Sequence, residues 1–130
     1  PEQPTPPLRY VAVNLADHYV GDGAIFEGLG HALSTLRFSL VRLSMPRNGI
    51  SSRAVHTLML DCLWHCEVLE HVDLSGNKGI TSSAGRTCVK FARHRVSLLT
   101  FDLSGTYVFN ATRAIIDGLL QERRGPQVSP

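Results

Sequence analysis

The chain has 130 residues, 43% of them hydrophobic, which is enough for one domain with an interior of its own. Thirteen basic residues against eleven acidic leave a formal charge of +2, too small to make nucleic acid or an anionic membrane the expected partner. Arg or Asp interrupts every longer apolar window, so no stretch is fit to span a bilayer. The three cysteines, Cys62, Cys66 and Cys88, are an odd number with no secretory signal, and are expected as reduced thiols in a cytoplasmic setting.

In chain order, residues 1–7 read P-E-Q-P-T-P-P, an extended Pro-rich linker or tail without the basic and apolar regions of a signal peptide. Residues 8–124 carry the periodic patterning, and 125–130 form a second tail. A first strand is expected in Y-V-A-V-N-L from Tyr10, with a helix opening after Asp22. A second strand begins at Leu40 and its helix follows Ser51 or Ser52, carrying apolar positions at Val55, Leu58 or Met59, Cys62 and Cys66. A third strand begins at Leu69, with a helix after Ser82 or Ser83; a fourth begins at Leu98, with a helix opening at Asn110. The Ser, Asp and Asn at these starts are expected as N-caps, whose side-chain oxygens accept first-turn N–H groups.

The strands share one pattern, apolar-x-x-apolar-x-apolar-x-x-Asn. Leu40, Leu43, Met45 and Asn48 fill it, as do Leu69, Val72, Leu74 and Asn77; Leu98, Phe101, Leu103 and Thr106 place Thr in the last slot, and Tyr10, Val13, Leu15 and His18 place His there. First anchors at 10, 40, 69 and 98 put successive copies 30, 29 and 29 residues apart, and self-similarity at a fixed period is the mark of a repeat array. This pattern resembles the leucine-rich repeat, and its length resembles the ribonuclease-inhibitor-like subtype. The resemblance implies an α/β fold: a right-handed solenoid of about four strand-helix units, with a curved parallel sheet on the concave side and helices on the convex side. His18, Asn48, Asn77 and Thr106 are expected as structural turn positions that satisfy inward-pointing peptide groups. No polar cap is visible at either end, so the segment is expected to belong to a longer chain.

Residues between the buried strand positions face outward and align from unit to unit. The expected protein-binding surface is therefore Asn14, Arg42, Ser44, Glu70, His71, Asp73 and Asp102, with an acidic step of Glu70, Asp73 and Asp102 beside Arg42. Cys62, His65, Cys66 and His71 have the residue types of a zinc site but lack a second paired knuckle, so small buried cysteines are the simpler reading. Arg86, Lys90 and Arg93 form a basic stripe on the third helix without interleaved Tyr or Trp for stacking on bases.

No G-x-S-x-G, Walker loop or H-E-x-x-H occurs, and no thiol has the neighbours that activate a nucleophile, so the chain is read as no enzyme and as needing no cofactor, metal or small-molecule substrate. The resemblance implies a non-catalytic protein-interaction scaffold, cytoplasmic and of the kind found in cytoskeletal or ciliary proteins. The alternative it implies is a substrate-recognition or regulatory adaptor of the F-box or GTPase-activating type. An extracellular recognition module would bring a leader and flanking disulfides.

Overall fold

A computed structural model describes residues 10–17 and 21–125; the Pro-rich stretch 1–7, His18 and residues 126–130 of the second tail lie outside the described residues. Four short strands, β1 (Val11–Asn14), β2 (Leu40–Ser44), β3 (His71–Asp73) and β4 (Thr100–Asp102), form one parallel sheet in the order β1-β2-β3-β4. Parallel neighbours need a crossover, and here each crossover is helical. The first combines α1 (Gly21–Ala24), a π-helical stretch at Ile25–Leu29 and α2 (Gly30–Thr35). The second runs from α3 (Ser52–Thr57) into a π-helical stretch at Leu58–Cys62. A 3-10 turn at Ser82–Ala84 leads into α4 (Gly85–His94), and α5 (Asn110–Arg124) follows β4.

From Ala12 onward one register runs across all four strands. Val13, Leu43, Val72 and Phe101 are mutual neighbours, flanked by the rows Ala12, Arg42, His71, Thr100 and Asn14, Ser44, Asp73, Asp102. Leu43, Val72 and Phe101 point into a core that also takes Leu40 at the start of β2, Leu69 and Leu98 before β3 and β4, and Met45, Leu74 and Leu103 after the strands. Tyr10 departs from the expected pattern: it is 63% exposed, and Val11, not Tyr10, stands opposite Leu40. The register slips between Val11 and Ala12, which takes up the extra residue separating the first two copies.

The helices start close to where the sequence places them, but among the described residues no N-cap side chain accepts a first-turn N–H. Asp22 lies inside α1 and accepts both the Ser51 backbone N–H (2.8 Å) and the Ser51 hydroxyl. Ser52 Oγ accepts the Thr81 N–H at 2.8 Å. These short polar side chains therefore bond sideways, unit to unit, in place of capping. Cys66 is buried as expected but lies beyond the helix that carries Cys62, because the chain leaves the π-helical stretch at Leu63. Gly30 makes the first π-helical turn possible: its N–H bonds the Ile25 carbonyl, and a Cβ would stand 2.3 Å from that oxygen and 2.9 Å from Cys62 Sγ.

At the exits of the strands the buried peptide groups find side-chain partners. Asn77 Nδ2 donates to Leu74 O and, across the unit boundary, to Met45 O, both at 2.9 Å; its Oδ1 accepts the N–H groups of Asn48 (2.8 Å) and Ile50 (3.2 Å). Asn48 Nδ2 donates to Leu15 O at 2.7 Å and Pro46 O at 3.0 Å. Thr106 is too short for that reach: its hydroxyl donates to Leu103 O at 2.6 Å within its own turn. Beside these stitches runs a column of left-handed residues, Asp17 (φ 58), Arg47 (φ 55), Gly76 (φ 71) and Gly105 (φ 71). The Asp17, Arg47 and Gly76 N–H groups donate to Pro46, Ser75 and Ser104 carbonyls, extending the sheet's hydrogen bonding into the turns.

The β4 side of the stack is covered in part by α5. Val41 O accepts Glu70 N, Glu70 O accepts Leu99 N, and Leu99 O accepts Arg124 Nη1 at 2.6 Å, so a guanidinium stands where the series would place another backbone N–H. Arg123 does the same for α4, donating to the carbonyls of Ala92 and Arg95. A polar cover not apparent in the sequence is therefore present on this side.

Asn77→Ala leaves the Met45, Leu74 and Ser75 carbonyls and two N–H groups with one partner fewer, and is expected to cost about 2–4 kcal/mol in urea unfolding, against about 1 kcal/mol for Thr106→Ala. Gly30→Ala, which forces a Cβ into the Ile25 carbonyl, is expected to cost about 1–3 kcal/mol in the same measurement.

Candidate functional site

The sheet face turned away from the core holds the residues singled out in the sequence, and the register decides which of them meet. Arg42, His71 and Thr100 form one row, Ser44, Asp73 and Asp102 the next, and together they line a shallow depression of about 210 Å³. Arg42 is exposed at its edge, and Ser44, His71 and Asp73 are half-buried. Asn14 extends the second row over β1, outside the depression. Glu70 precedes β3 and belongs to neither row; its carboxylate lies 3.8 Å from His71 Nε2. The His71 Nδ1 atom is 2.8 Å from Thr100 Oγ1, a hydrogen bond that ties the ring to its neighbour in the row.

Part of the acidic row has local work to do. Asp73 Oδ1 accepts the Ser75 N–H at 2.9 Å, Asp102 Oδ1 accepts the Ser104 N–H at 2.9 Å and its hydroxyl at 2.6 Å, and Asn14 Oδ1 accepts the Ala16 N–H at 3.1 Å. These are Asx turns, in which a short polar side chain bonds the backbone two residues on. The signal was in the sequence: D-L-S-G occurs at 73–76 and again at 102–105, each ending in a left-handed glycine. Each aspartate spends Oδ1 on its own turn. Asp73 and Asp102 are direct cross-strand neighbours, and like charges so placed oppose one another.

At the strand exits, Asp17 and Arg47 form a two-pronged ion pair, Nε to Oδ1 at 2.6 Å and Nη2 to Oδ2 at 2.9 Å. The hydrogen bond and charge of Asp17 hold the Arg47 guanidinium above its ordinary range. Both side chains are more than half exposed, so the pair adds little to stability. Nothing in the spacing of single residues announces this contact, because it joins neighbouring left-handed turns of adjacent units.

The residue types that suggested zinc are scattered. Cys62 and Cys66 are buried, His65 is exposed, and His71 sits on the sheet face; among the described residues no group of three or more His, Cys, Asp or Glu is placed to hold a metal ion. Burial pushes the Cys66 thiol up to about 11 and Cys88 up to about 12, so both are neutral thiols near pH 7. The basic stripe of Arg86, Lys90 and Arg93 is exposed on α4 and remote from the sheet face's depression.

Because burial favours the protonated thiol, the native state holds its thiol protons to higher pH than the unfolded chain does. The contribution is present below the unfolded value near 9 and is lost as pH rises toward about 12, so the melting temperature is expected to fall over that window, and less steeply in Cys88→Ala. Alkylation of native protein at neutral pH is expected to be slow at Cys66 and Cys88 and fast after denaturation, read by mass spectrometry.

Neither a scan against protein-family models nor a search of curated proteins returns a match for this chain.

Proposed function

We propose that the chain is a right-handed leucine-rich repeat solenoid of the ribonuclease-inhibitor-like subtype, acting as a non-catalytic scaffold that binds a protein partner on its sheet face. The observation that carries this reading is the register: Arg42, His71 and Thr100, then Ser44, Asp73 and Asp102, stand in two rows across three strands. Rows of independently variable side chains on a shared backbone suit a broad macromolecular partner better than a small ligand, which prefers an enclosed apolar pocket. Helical crossovers between adjacent parallel strands are right-handed in nearly all proteins, which supports the handedness. The buried polar stitches at Asn48 and Asn77 recur one unit apart, as a repeat array requires.

The partner segment this face favours is basic. Asp73 and Asp102 repel one another across the strand pair, and a Lys or Arg laid beside both carboxylates relieves that repulsion. Arg42 at the border of the depression selects an acidic or amide group farther along the same segment. The setting implied is the cytoplasm, with cytoskeletal attachment as one form of it, and buried neutral thiols are in keeping with a reducing compartment.

The test is affinity capture from cell extract with the wild-type chain and with Asp73→Arg plus Asp102→Arg. The reading expects a folded double variant, checked by circular dichroism, to lose the proteins recovered by wild type. Equal recovery by both would falsify the sheet face as the contact surface.

A further inference from the structure

The basic stripe on α4 has no part in the sheet-face reading, yet it borders a distinct depression. Arg86, Lys90 and Arg93 recur at i, i+4 and i+7 along one flank of α4 and line a groove of about 450 Å³ between α4 and α5. Its apolar surface comes from Val89 on α4 and Ile115 on α5; Ile115 is 50% exposed. The two helices touch at one end of the groove, where a Cβ on Gly85 would lie 3.2 Å from Thr112 Cγ2. No carboxylate lines the groove, and among the described residues none of the three cations has an ion pair. The stripe spans about 10 Å, two helical turns.

We infer that this groove is a second docking surface, which takes an acidic amphipathic helix of a partner protein. Charge complementarity chooses the occupant: three cations at helical spacing, without a carboxylate partner among the described residues, match carboxylates repeated at the same spacing on the partner, and Val89 with Ile115 receives the apolar residues that alternate with them. A nucleic acid fits less well. None of the groove's lining residues is aromatic, so no ring there is placed to stack on a base. An anionic membrane calls for an apolar surface that protrudes, whereas Val89 and Ile115 lie between the helices.

The experiment is a nuclear magnetic resonance titration of the 130-residue chain with a synthetic amphipathic peptide, Glu on one flank and Leu on the other. A peptide with Lys at every Glu position, a single-stranded oligouridine, and phosphatidylcholine vesicles containing phosphatidylserine serve as the other probes. The inference expects shifts at α4 and α5 amides with the Glu peptide alone, at least about tenfold weaker binding to Arg86→Glu/Lys90→Glu/Arg93→Glu, and weakening by added salt. Ile115→Ser, which leaves every charge in place, is expected to weaken the same titration. Saturation by the Lys peptide, preference for the oligouridine or the vesicles, shifts confined to the sheet face, or unchanged affinity in both variants would each overturn it. Asp73→Arg plus Asp102→Arg is expected to leave this titration unaltered, which separates it from the sheet-face reading.

Discussion

Peptide groups that leave a short parallel strand and turn inward must find hydrogen-bond partners away from water, and this constraint organises the molecule. A buried unpaired amide or carbonyl costs about 1–3 kcal/mol, a sizeable fraction of a domain's net stability. Asn77 meets the demand with one side chain that serves two units: its amide nitrogen reaches carbonyls on both sides of the boundary, and its oxygen gathers two N–H groups from the preceding turn. Because those partners sit in different units, the side chain fixes the offset between units as well as the turn. The single register across β2, β3 and β4 is what that offset looks like in the sheet.

From that register follows the chemistry of the exposed face. Residues that alternate with the core positions are brought beside their counterparts whether or not their charges agree, so Asp73 meets Asp102. The fold tolerates the repulsion because each carboxylate is partly committed to a backbone N–H in its own turn. The same residues therefore shape the backbone locally and set the sign of the face. Their substitution tests binding cleanly only with a check on folding beside it.

Much of this was legible from the residues alone, and the reasons are specific. The anchors at Leu40, Leu69 and Leu98 show in sequence because a buried position in a parallel strand admits little besides an aliphatic side chain. The slip at Val11 was hidden, since a one-residue difference in spacing does not say where the extra residue is absorbed; Tyr10 looked like an anchor and is exposed. Ser51 does stand at the N-cap of α3, but its expected capping bond is absent for a related reason: Ser51 and Ser52 bond Asp22 and Thr81 of neighbouring units, which a local rule cannot know. Of the seven face residues, Arg42, Ser44, His71, Asp73 and Asp102 converge, Asn14 stands a strand away, and Glu70 lies just before β3.

The guanidinium of Arg124 carries a consequence for the β4 side of the sheet. It occupies the carbonyl of Leu99, the next acceptor after Val41 and Glu70 in the strand-to-strand series. A backbone amide brought up beside β4 meets a charged donor already bound there. Pairing at that position is therefore an exchange of one donor for another, and the exposed border of the sheet is less open to a stray strand than its unpaired backbone suggests.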